Sequence, residues 1–392
     1  MVTLQWAQGA FNLIRGLCEA GGDGLNEARN LLDSLQKTAD ANPQQPEISL
    51  RWAQSAFNLI TGFTSAGGDG LNEARDLLTS LEKAADDDPQ QPEIRLQWAQ
   101  GAFNLITGLT EAGGDGLNEA RDLLDSLQKT ADHNPQQPEI RLEWANGAVN
   151  LINWLTAAGG DGPNEARDLL DSLQKAADQN PQEPEIRLEW AIGAFNLISS
   201  LAAAGGDRLN EARDLLDSLQ KAADQNPQQP EIRLEWAIGA FNLINGFTAT
   251  GGDGLNEAQK LLDSLQKAAD DNPQQPEIRL RWAQGAVNLI YGFTATGGAS
   301  VAEANEIYQK LGEMAARVQD QALIEPYVRA TVRLAEHHLH ERHLNEAVPY
   351  IAQLSVSVGD SPLREWLRGI LPPEEASKIM VEAEDYLKQQ RP

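Results

Sequence analysis

Residues Glu235 to Leu280 read EWAIGAFNLINGFTATGGDGLNEAQKLLDSLQKAADDNPQQPEIRL, and this unit builds most of the chain. Its tryptophan recurs every 46 residues without insertion or deletion. The seven copies are Trp6, Trp52, Trp98, Trp144, Trp190, Trp236 and Trp282. A constant interval between near-identical sequences indicates a tandem array, in which each unit buries its apolar face against its neighbours.

Each unit contains two predicted helices. The first begins at a proline such as Pro230, which suits the first helical position, and ends at Gly251 and Gly252. Asp253 is the expected N-cap of the second helix, which ends before Pro273. The first helix is apolar on two flanks and the second on one, so the first should lie inside. We therefore predict an all-α fold, an α-solenoid of tandem antiparallel helix pairs.

Two segments of the unit resemble the tetratricopeptide repeat (TPR). FNLINGFTATGGDGLNEA, Phe241 to Ala258, is similar to the first helix, the Gly-Asp turn and the opening of the second helix in that family. LQKAADDNP, Leu265 to Pro273, is similar to the end of its second helix. The common TPR unit has about 34 residues, so both helices are longer here. The resemblance implies a right-handed superhelix with a concave groove that binds peptides or proteins, without catalysis.

The repeats do not extend over the whole chain. We expect residues 1–298 to form seven TPR-like repeats, with the second helix of the seventh running to about residue 318. Within residues 299–392, Leu323 to His340 and Leu344 to Val358 read as a degenerate eighth pair, and Glu374 to Gln389 reads as a final helix. Because an array needs an atypical unit over its last apolar face, we interpret this segment as a helical C-terminal cap.

The composition excludes several classes of function. The chain has 392 residues and a formal net charge of −27, which disfavours nucleic acids and anionic membranes as partners. A single cysteine, Cys18, excludes a disulfide framework and a cysteine-based zinc site. No apolar run is long enough to span a bilayer. The first residues do not read as a targeting segment, because their pattern recurs downstream, so we expect a cytoplasmic protein.

An asparagine follows each repeat tryptophan by six residues. The seven are Asn12, Asn58, Asn104, Asn150, Asn196, Asn242 and Asn288. Asparagine is a poor residue for a helix interior, and its amide offers both a donor and an acceptor. One interpretation is a ladder that holds the main chain of an extended peptide, as the TPR resemblance implies. The alternative is a structural bond to the neighbouring first helix or to the asparagine's own backbone.

The positions beside this asparagine vary from repeat to repeat. Directly before the tryptophan stand Gln5, Arg51, Gln97, Glu143, Glu189, Glu235 and Arg281, and the positions two and nine after it also vary. The second helix varies much less, so we interpret the variable positions as a stripe that selects ligand side chains. Glu143, Glu189 and Glu235 predict a preference for a basic segment in the middle of the groove, flanked by Arg51 and Arg281.

Glycines also recur within the first helix. Gly239 and Gly246 bracket Asn242, although each mid-helix glycine costs about 1 kcal/mol relative to alanine. Something must therefore approach the backbone closely, either a ligand main chain or the next first helix. Trp154 replaces the second glycine in the fourth repeat. We predict that it projects into the groove as a local anchor or plug.

Catalytic and metal-binding patterns are weak. The segment His337 to His343 reads HHLHERH, in which His340 could share a metal with His337 or with His343. A polar helix end explains it more simply, so we predict no metal and no other cofactor. The sequence has no P-loop, no GxGxxG and no HExxH, and we predict that the protein is not an enzyme.

The predicted function is a scaffold for protein–protein interaction, which binds an extended and preferably basic peptide or protein segment. The alternative is a structural or sensor array from a larger multidomain signalling protein, because the chain starts inside a repeat. An engineered or self-assembling repeat protein without a ligand is a related alternative. We expect a monomer, or end-to-end self-association through apolar residues of the first repeat such as Trp6, Phe11 and Leu13.

Overall fold

The computed structural model describes residues 2–114, 116–296, 300–318 and 320–390. Helices and their connections make up these ranges, which contain no strand. The helices are α1 (Val2–Ala20), α2 (Asp23–Asp40), α3 (Pro46–Ala66), α4 (Gly70–Asp87), α5 (Pro92–Ala112), α6 (Gly116–His133), α7 (Pro138–Ala158), α8 (Gly162–Gln179), α9 (Pro184–Ala204), α10 (Arg208–Gln225), α11 (Pro230–Thr250), α12 (Asp253–Asp271), α13 (Pro276–Thr296), α14 (Ser300–Val318), a 3₁₀ turn (Gln321–Leu323), α15 (Ile324–His340), α16 (Leu344–Val358), α17 (Asp360–Ile370) and α18 (Pro373–Gln390).

The turn inside each of the first six repeats is made by paired glycines. Gly251 and Gly252 have φ values of 65° and 47°, in the left-handed region that glycine occupies without a steric penalty. Their carbonyl oxygens accept the first backbone hydrogen bonds of α12, from Gly254 at 2.8 Å and Leu255 at 3.1 Å. The prediction that Asp253 caps α12 was wrong: the helix begins at Asp253, and the cap residue is Gly252.

The chain divides into two compact units, Met1–Leu197 and Ile198–Pro392. In the first unit, the first helices α1, α3, α5 and α7 pack in sequence. The second helices α2, α4 and α6 each pack on the first helix of their own repeat and of the next, and α8 packs on α7. In the second unit, α10 to α14 repeat this arrangement. Both units confirm the predicted all-α tandem-repeat solenoid. The predicted domain boundary between residues 298 and 299 lies outside the described residues.

The repeat tryptophans belong to the buried core from the second repeat onward. Trp52 is 4% exposed and Trp282 is fully buried, whereas Trp6 of the first repeat is 41% exposed. The difference arises because each later tryptophan is also covered by the repeat before it. Stacking, and not the single helix pair, therefore buries this side chain.

At the end of the second unit, α15 packs on α13 and α14 of the last repeat, and α16 packs on α15, α17 and α18. α15 and α16 match the predicted degenerate pair, and α18 matches the predicted final helix. Sequence patterns assigned no element to α17, whose Leu363 and Leu367 are buried with Ile351 and Met380 in the C-terminal core. Pro362 lies within the first turn of α17, where a proline is tolerated. None of the helices described is both long and apolar enough to cross a membrane.

Candidate functional site

The first-helix face is the surface formed by four positions of each first helix: one before, two after, six after and nine after the repeat tryptophan. These positions are three or four residues apart, which places them on one side of a helix. The first-helix face contains these predicted site residues: Asn12, Asn58, Asn104, Asn150, Asn196, Asn242, Asn288, Arg51, Glu143, Glu189, Glu235 and Arg281. All of them except the exposed Asn12 are half-buried.

Four of the seven asparagine side chains bond to the preceding repeat, and within the described residues no such bond is seen for Asn58 or Asn196. In the first unit, Nδ2 of Asn104 donates to Oγ1 of Thr61 at 2.8 Å, and Nδ2 of Asn150 donates to Oγ1 of Thr107 at 2.9 Å. In the second unit, Asn242 donates to Ser199 at 2.9 Å and Asn288 donates to Asn245 at 2.6 Å. Asn12 instead accepts a bond from Gln8 of its own helix at 3.2 Å.

These bonds are those that the structural alternative describes, because the acceptor lies 43 residues earlier on the neighbouring first helix. The amide nitrogen is engaged, so a bidentate grip on a peptide group would have to break it. Within the described ranges, no donor reaches the Oδ1 atoms of Asn104, Asn150 and Asn242. Each of these asparagines therefore retains one acceptor for a ligand.

The recurring glycines make room for the preceding repeat. A Cβ added to Gly101 would lie 3.0 Å from Cδ1 of Ile60 on the preceding first helix. A Cβ added to Gly246 would lie 2.7 Å from Cδ2 of Leu209 and 3.0 Å from the carbonyl oxygen of Ala202. Close packing of neighbouring repeats accounts for these glycines, so no ligand main chain is needed to explain them.

The three glutamates of the first-helix face lack a counter-ion in the described part of the chain. No cation of the described residues lies within 4.0 Å of Glu143 or Glu189 in the first unit, or of Glu235 in the second. Burial raises the pKa of all three, and for Glu143 hydrogen bonds from Gln100 and Asn146 lower the pKa in opposition. These carboxylates are partly desolvated without being neutralised by a nearby charge.

The two arginines of the face are held by their neighbours. The guanidinium of Arg51 lies 5.4 Å from the ring centre of Phe11 in the preceding repeat, and that of Arg281 lies 5.8 Å from the ring of Phe241. Arg51 also donates to Oε1 of Gln54 at 2.7 Å. A cation over an aromatic ring is an attractive pair, so these side chains help to define the face at their positions.

Trp154 is half-buried. The glycine at its position in the preceding repeat, Gly108, faces Thr64 and Leu71 of the repeat before. Thr110, which corresponds to Thr64, is 6% exposed. Trp154 thus occupies the position that faces the preceding repeat in the third repeat, and its predicted projection into the groove as a plug stays a prediction. Its role as a ligand anchor stays a prediction.

A cavity of about 490 Å³ lies at the first-helix face of the first two repeats. Asn58 lines it together with Arg15, Cys18 and Thr61. Burial raises the pKa of the Cys18 thiol to about 11, so the thiol stays protonated at neutral pH and is a poor nucleophile. The protonated thiol therefore gives no support for thiol chemistry in this cavity.

The second helices carry a ladder of ion pairs that the sequence patterns did not predict. In four repeats an arginine pairs with a glutamate 44 residues later, on the second helix of the next repeat. The pairs are Arg29–Glu73, Arg75–Glu119 and Arg121–Glu165 in the first unit and Arg213–Glu257 in the second. The sequence contains a signal for these pairs, because Asn-Glu-Ala-Arg recurs at the start of these second helices. The 44-residue offset between the partners depends on how the repeats stack and cannot be read from one repeat.

Crevices lie between the second helices of the first unit. Trp98 lines the crevice between α4 and α6, which consists of two cavities of about 200 and 320 Å³. Trp144 lines another of about 230 Å³ between α6 and α8. Arg95 also lines the crevice between α4 and α6, and its guanidinium donates to the carbonyl oxygen of Ala85 at 2.8 Å, near the end of α4. The second helices therefore stand apart where the first helices touch.

The histidine-rich turn between α15 and α16 differs from its prediction. Helical spacing paired His340 with His337 or His343, whereas the structure brings together His338, His343 and Glu346. His338 is 5% exposed, and its pKa is lowered chiefly by burial. No other group of three potential metal ligands occurs among the described residues.

The chain was also compared with known proteins. No protein-family model matches it, and no curated protein does. One similar solved structure is described as a "Circular tandem repeat protein with novel repeat topology and enhanced subunit contact surfaces". The two chains are 11% identical, and the match covers 99% of this chain and 97% of the other with a TM-score of 0.39. Because the identity and the TM-score are low, the description of the fold and of the site relies on the contacts given above and not on this similarity.

Proposed function

We propose that the chain is a non-enzymatic binding scaffold whose first-helix face holds a basic polypeptide segment. The supporting observation is that Glu143 and Glu189 in the first unit and Glu235 in the second are half-buried and have no counter-ion among the described residues. A carboxylate that has lost part of its hydration and has no counter-ion gains from a ligand cation placed beside it. We propose this binding separately for the first-helix face of the first unit and for that of the second unit.

The asparagines have a secondary role in this proposal. The free Oδ1 atoms of Asn104 and Asn150 accept main-chain N–H groups of the ligand, while their Nδ2 atoms keep the bonds to the preceding repeat. Affinity then comes from the carboxylates, and the asparagines favour an extended main chain. The TPR-like character and the cytoplasmic location stay predictions.

The test is binding of lysine- and arginine-rich peptides at physiological salt to the wild-type chain and to a Glu143→Lys/Glu189→Lys variant. The matched control is Asp125→Lys, a charge reversal at an exposed position of a second helix. We expect the double variant to lose most of its affinity and the control to keep it, after allowance for one charge against two. Comparable losses per charge would mean that the peptides sense only net charge, and the proposal would fail.

A structural array without its own ligand is the second candidate. It is favoured by the use of the asparagine amides and of the glycines in contacts with the preceding repeat. An Asn104→Ala/Asn150→Ala variant distinguishes the candidates. Weaker peptide binding at an unchanged urea midpoint supports the ligand role, whereas a lower midpoint with unchanged affinity supports the structural role.

A further inference from the structure

The turn that ends α15 folds back on the helix. The backbone N–H of His343 donates to the carbonyl oxygen of His338 at 2.8 Å, and the N–H of Arg342 donates to that of Leu339 at 3.3 Å. This is the Schellman pattern of helix ends, which requires a left-handed residue. Arg342 supplies it with φ 61°, the one positive φ of a non-glycine residue in the described part of the chain. The turn returns His343 to the side of the helix that carries His338.

Three potential metal ligands meet at this turn. Nδ1 of His338 lies 3.3 Å from Oε2 of Glu346, and Nδ1 of His343 lies 3.4 Å from the same oxygen. Candidate ligand atoms of the three residues all lie within 4.8 Å of one another. The ring of His338 stacks on Tyr350, with centres 5.6 Å apart and planes 12° apart, so its direction is fixed.

The buried histidine has an unused nitrogen. His338 is 5% exposed, and its Nδ1 makes no aligned hydrogen bond although Glu346 is close. A buried polar atom without a partner lowers the stability of a fold, so such atoms are rare in folded proteins. A ligand bound between this nitrogen and the carboxylate of Glu346 would satisfy both groups.

We propose that His338, His343 and Glu346 form a zinc site. In a tetrahedral site with bonds of about 2.0–2.1 Å, neighbouring ligand atoms are roughly 3.3–3.4 Å apart, which matches both nitrogen–oxygen distances. Two imidazoles and a carboxylate are ligands that Zn²⁺ accepts. His343 and Glu346 are exposed, so a fourth position is open to water.

A simpler arrangement is an ion pair of Glu346 with His338 alone. In that case His343 would lie nearby without a function, and no ion would bind at one equivalent. The zinc site instead needs all three side chains and brings the two imidazole nitrogens together. His343 can make this movement because it is on the exposed side of the turn.

The experiment is calorimetric titration of Zn²⁺ into the full chain, prepared without a histidine tag, with Co²⁺ absorption to report coordination geometry. We expect one ion per chain with a tetrahedral Co²⁺ spectrum, and an affinity at least about tenfold lower in both His343→Ala and Glu346→Gln. The control is His340→Ala, an exposed histidine of the same segment. It should bind Zn²⁺ like the wild type.

Both test positions are exposed, so the variants should fold, and far-UV circular dichroism checks this. As a second readout, saturating Zn²⁺ should raise the unfolding temperature of the wild type and of His340→Ala but not of His343→Ala. Absence of a one-equivalent transition, wild-type affinity in His343→Ala, or an equal loss in His340→Ala would each overturn the proposal.

Discussion

In the first unit, the first helices and the second helices contact their neighbours in different ways. First helices meet through small residues and short hydrogen bonds, as at Gly101 against Ile60 and at Asn150 against Thr107. Second helices stand apart over crevices and are linked by long side chains, as in the pair Arg121–Glu165. The same 46-residue text thus produces two kinds of contact between repeats.

The difference predicts where stability lies. Close packing excludes water and depends steeply on shape, so a single added methyl group is felt. Exposed ion pairs contribute at most about 1 kcal/mol each and are screened by salt. The first-helix layer should therefore determine the stability of the array, while the second-helix layer should tolerate substitution.

The largest effect is expected at the tryptophan that both layers cover. Trp98→Ala should lower the free energy of unfolding by roughly 3–5 kcal/mol, because Trp98 is 3% exposed and its removal leaves a cavity. Trp6→Ala should have a much smaller effect, since Trp6 is 41% exposed. Urea denaturation of both variants measures this, and equal losses would mean that stacking does not bury the tryptophan.

The next effect concerns close contact between first helices. Gly246→Ala should destabilise by roughly 1–3 kcal/mol, since its Cβ would meet a backbone oxygen at 3.0 Å. Gly16 has the same place in the first repeat, with nothing within 4 Å of its Cβ position, so Gly16→Ala should stabilise by about 1 kcal/mol. Opposite shifts in the urea midpoint are expected, and shifts of the same sign would contradict the packing argument.

A smaller effect is expected from the asparagine bonds. Asn150→Ala should lower the free energy of unfolding by about 0.5–1.5 kcal/mol, because it removes the bond to Thr107. Asn12→Ala should be neutral or slightly stabilising, since Asn12 is exposed and alanine is the better helix former. Thermal unfolding compares the two, and a stabilised Asn150→Ala would show that the bond contributes nothing.

The ion pairs of the second-helix layer should matter less. Arg121→Ala is expected to cost about 0–1 kcal/mol at low salt and almost nothing in about 1 M NaCl, because Arg121 and Glu165 are partly exposed. Lys83→Ala, at an exposed lysine of α4, is the control. A salt-independent loss in Arg121→Ala would show that its aliphatic stem, and not its charge, supports the layer.

The smallest effect is a pH dependence at Glu143, whose pKa is raised by burial. The folded chain then binds more protons than the unfolded chain between the ordinary and the raised pKa, so this group makes stability fall as pH rises through that window. Glu143→Gln should stabilise at about pH 7 by less than about 1 kcal/mol, and this gain should vanish at pH values below the ordinary pKa of a glutamate. Asp125→Asn is the exposed control, and a gain at neutral pH that persists in acid would contradict the raised pKa.

Local patterns in the sequence determined the repeat length, the helix pairs and the buried positions of this protein. The tryptophan interval, the proline starts and the glycine turns act over a few residues, and their conformations are set by backbone sterics. One helix, α17, could not be predicted in this way. It follows Gly359 and contains Pro362, and both residue types usually interrupt helices, so the local pattern does not indicate a helix that packing stabilises.

The tertiary structure decided which distant side chains meet. The partners of Asn150 and Arg121 lie 43 residues before and 44 residues after them, on neighbouring repeats. Those offsets depend on how one repeat stacks on the next, which periodicity within a repeat does not specify. Likewise, a left-handed Arg342 places His343 beside His338, although helical spacing pointed to His340. The sequence specified the surfaces, and packing specified their partners.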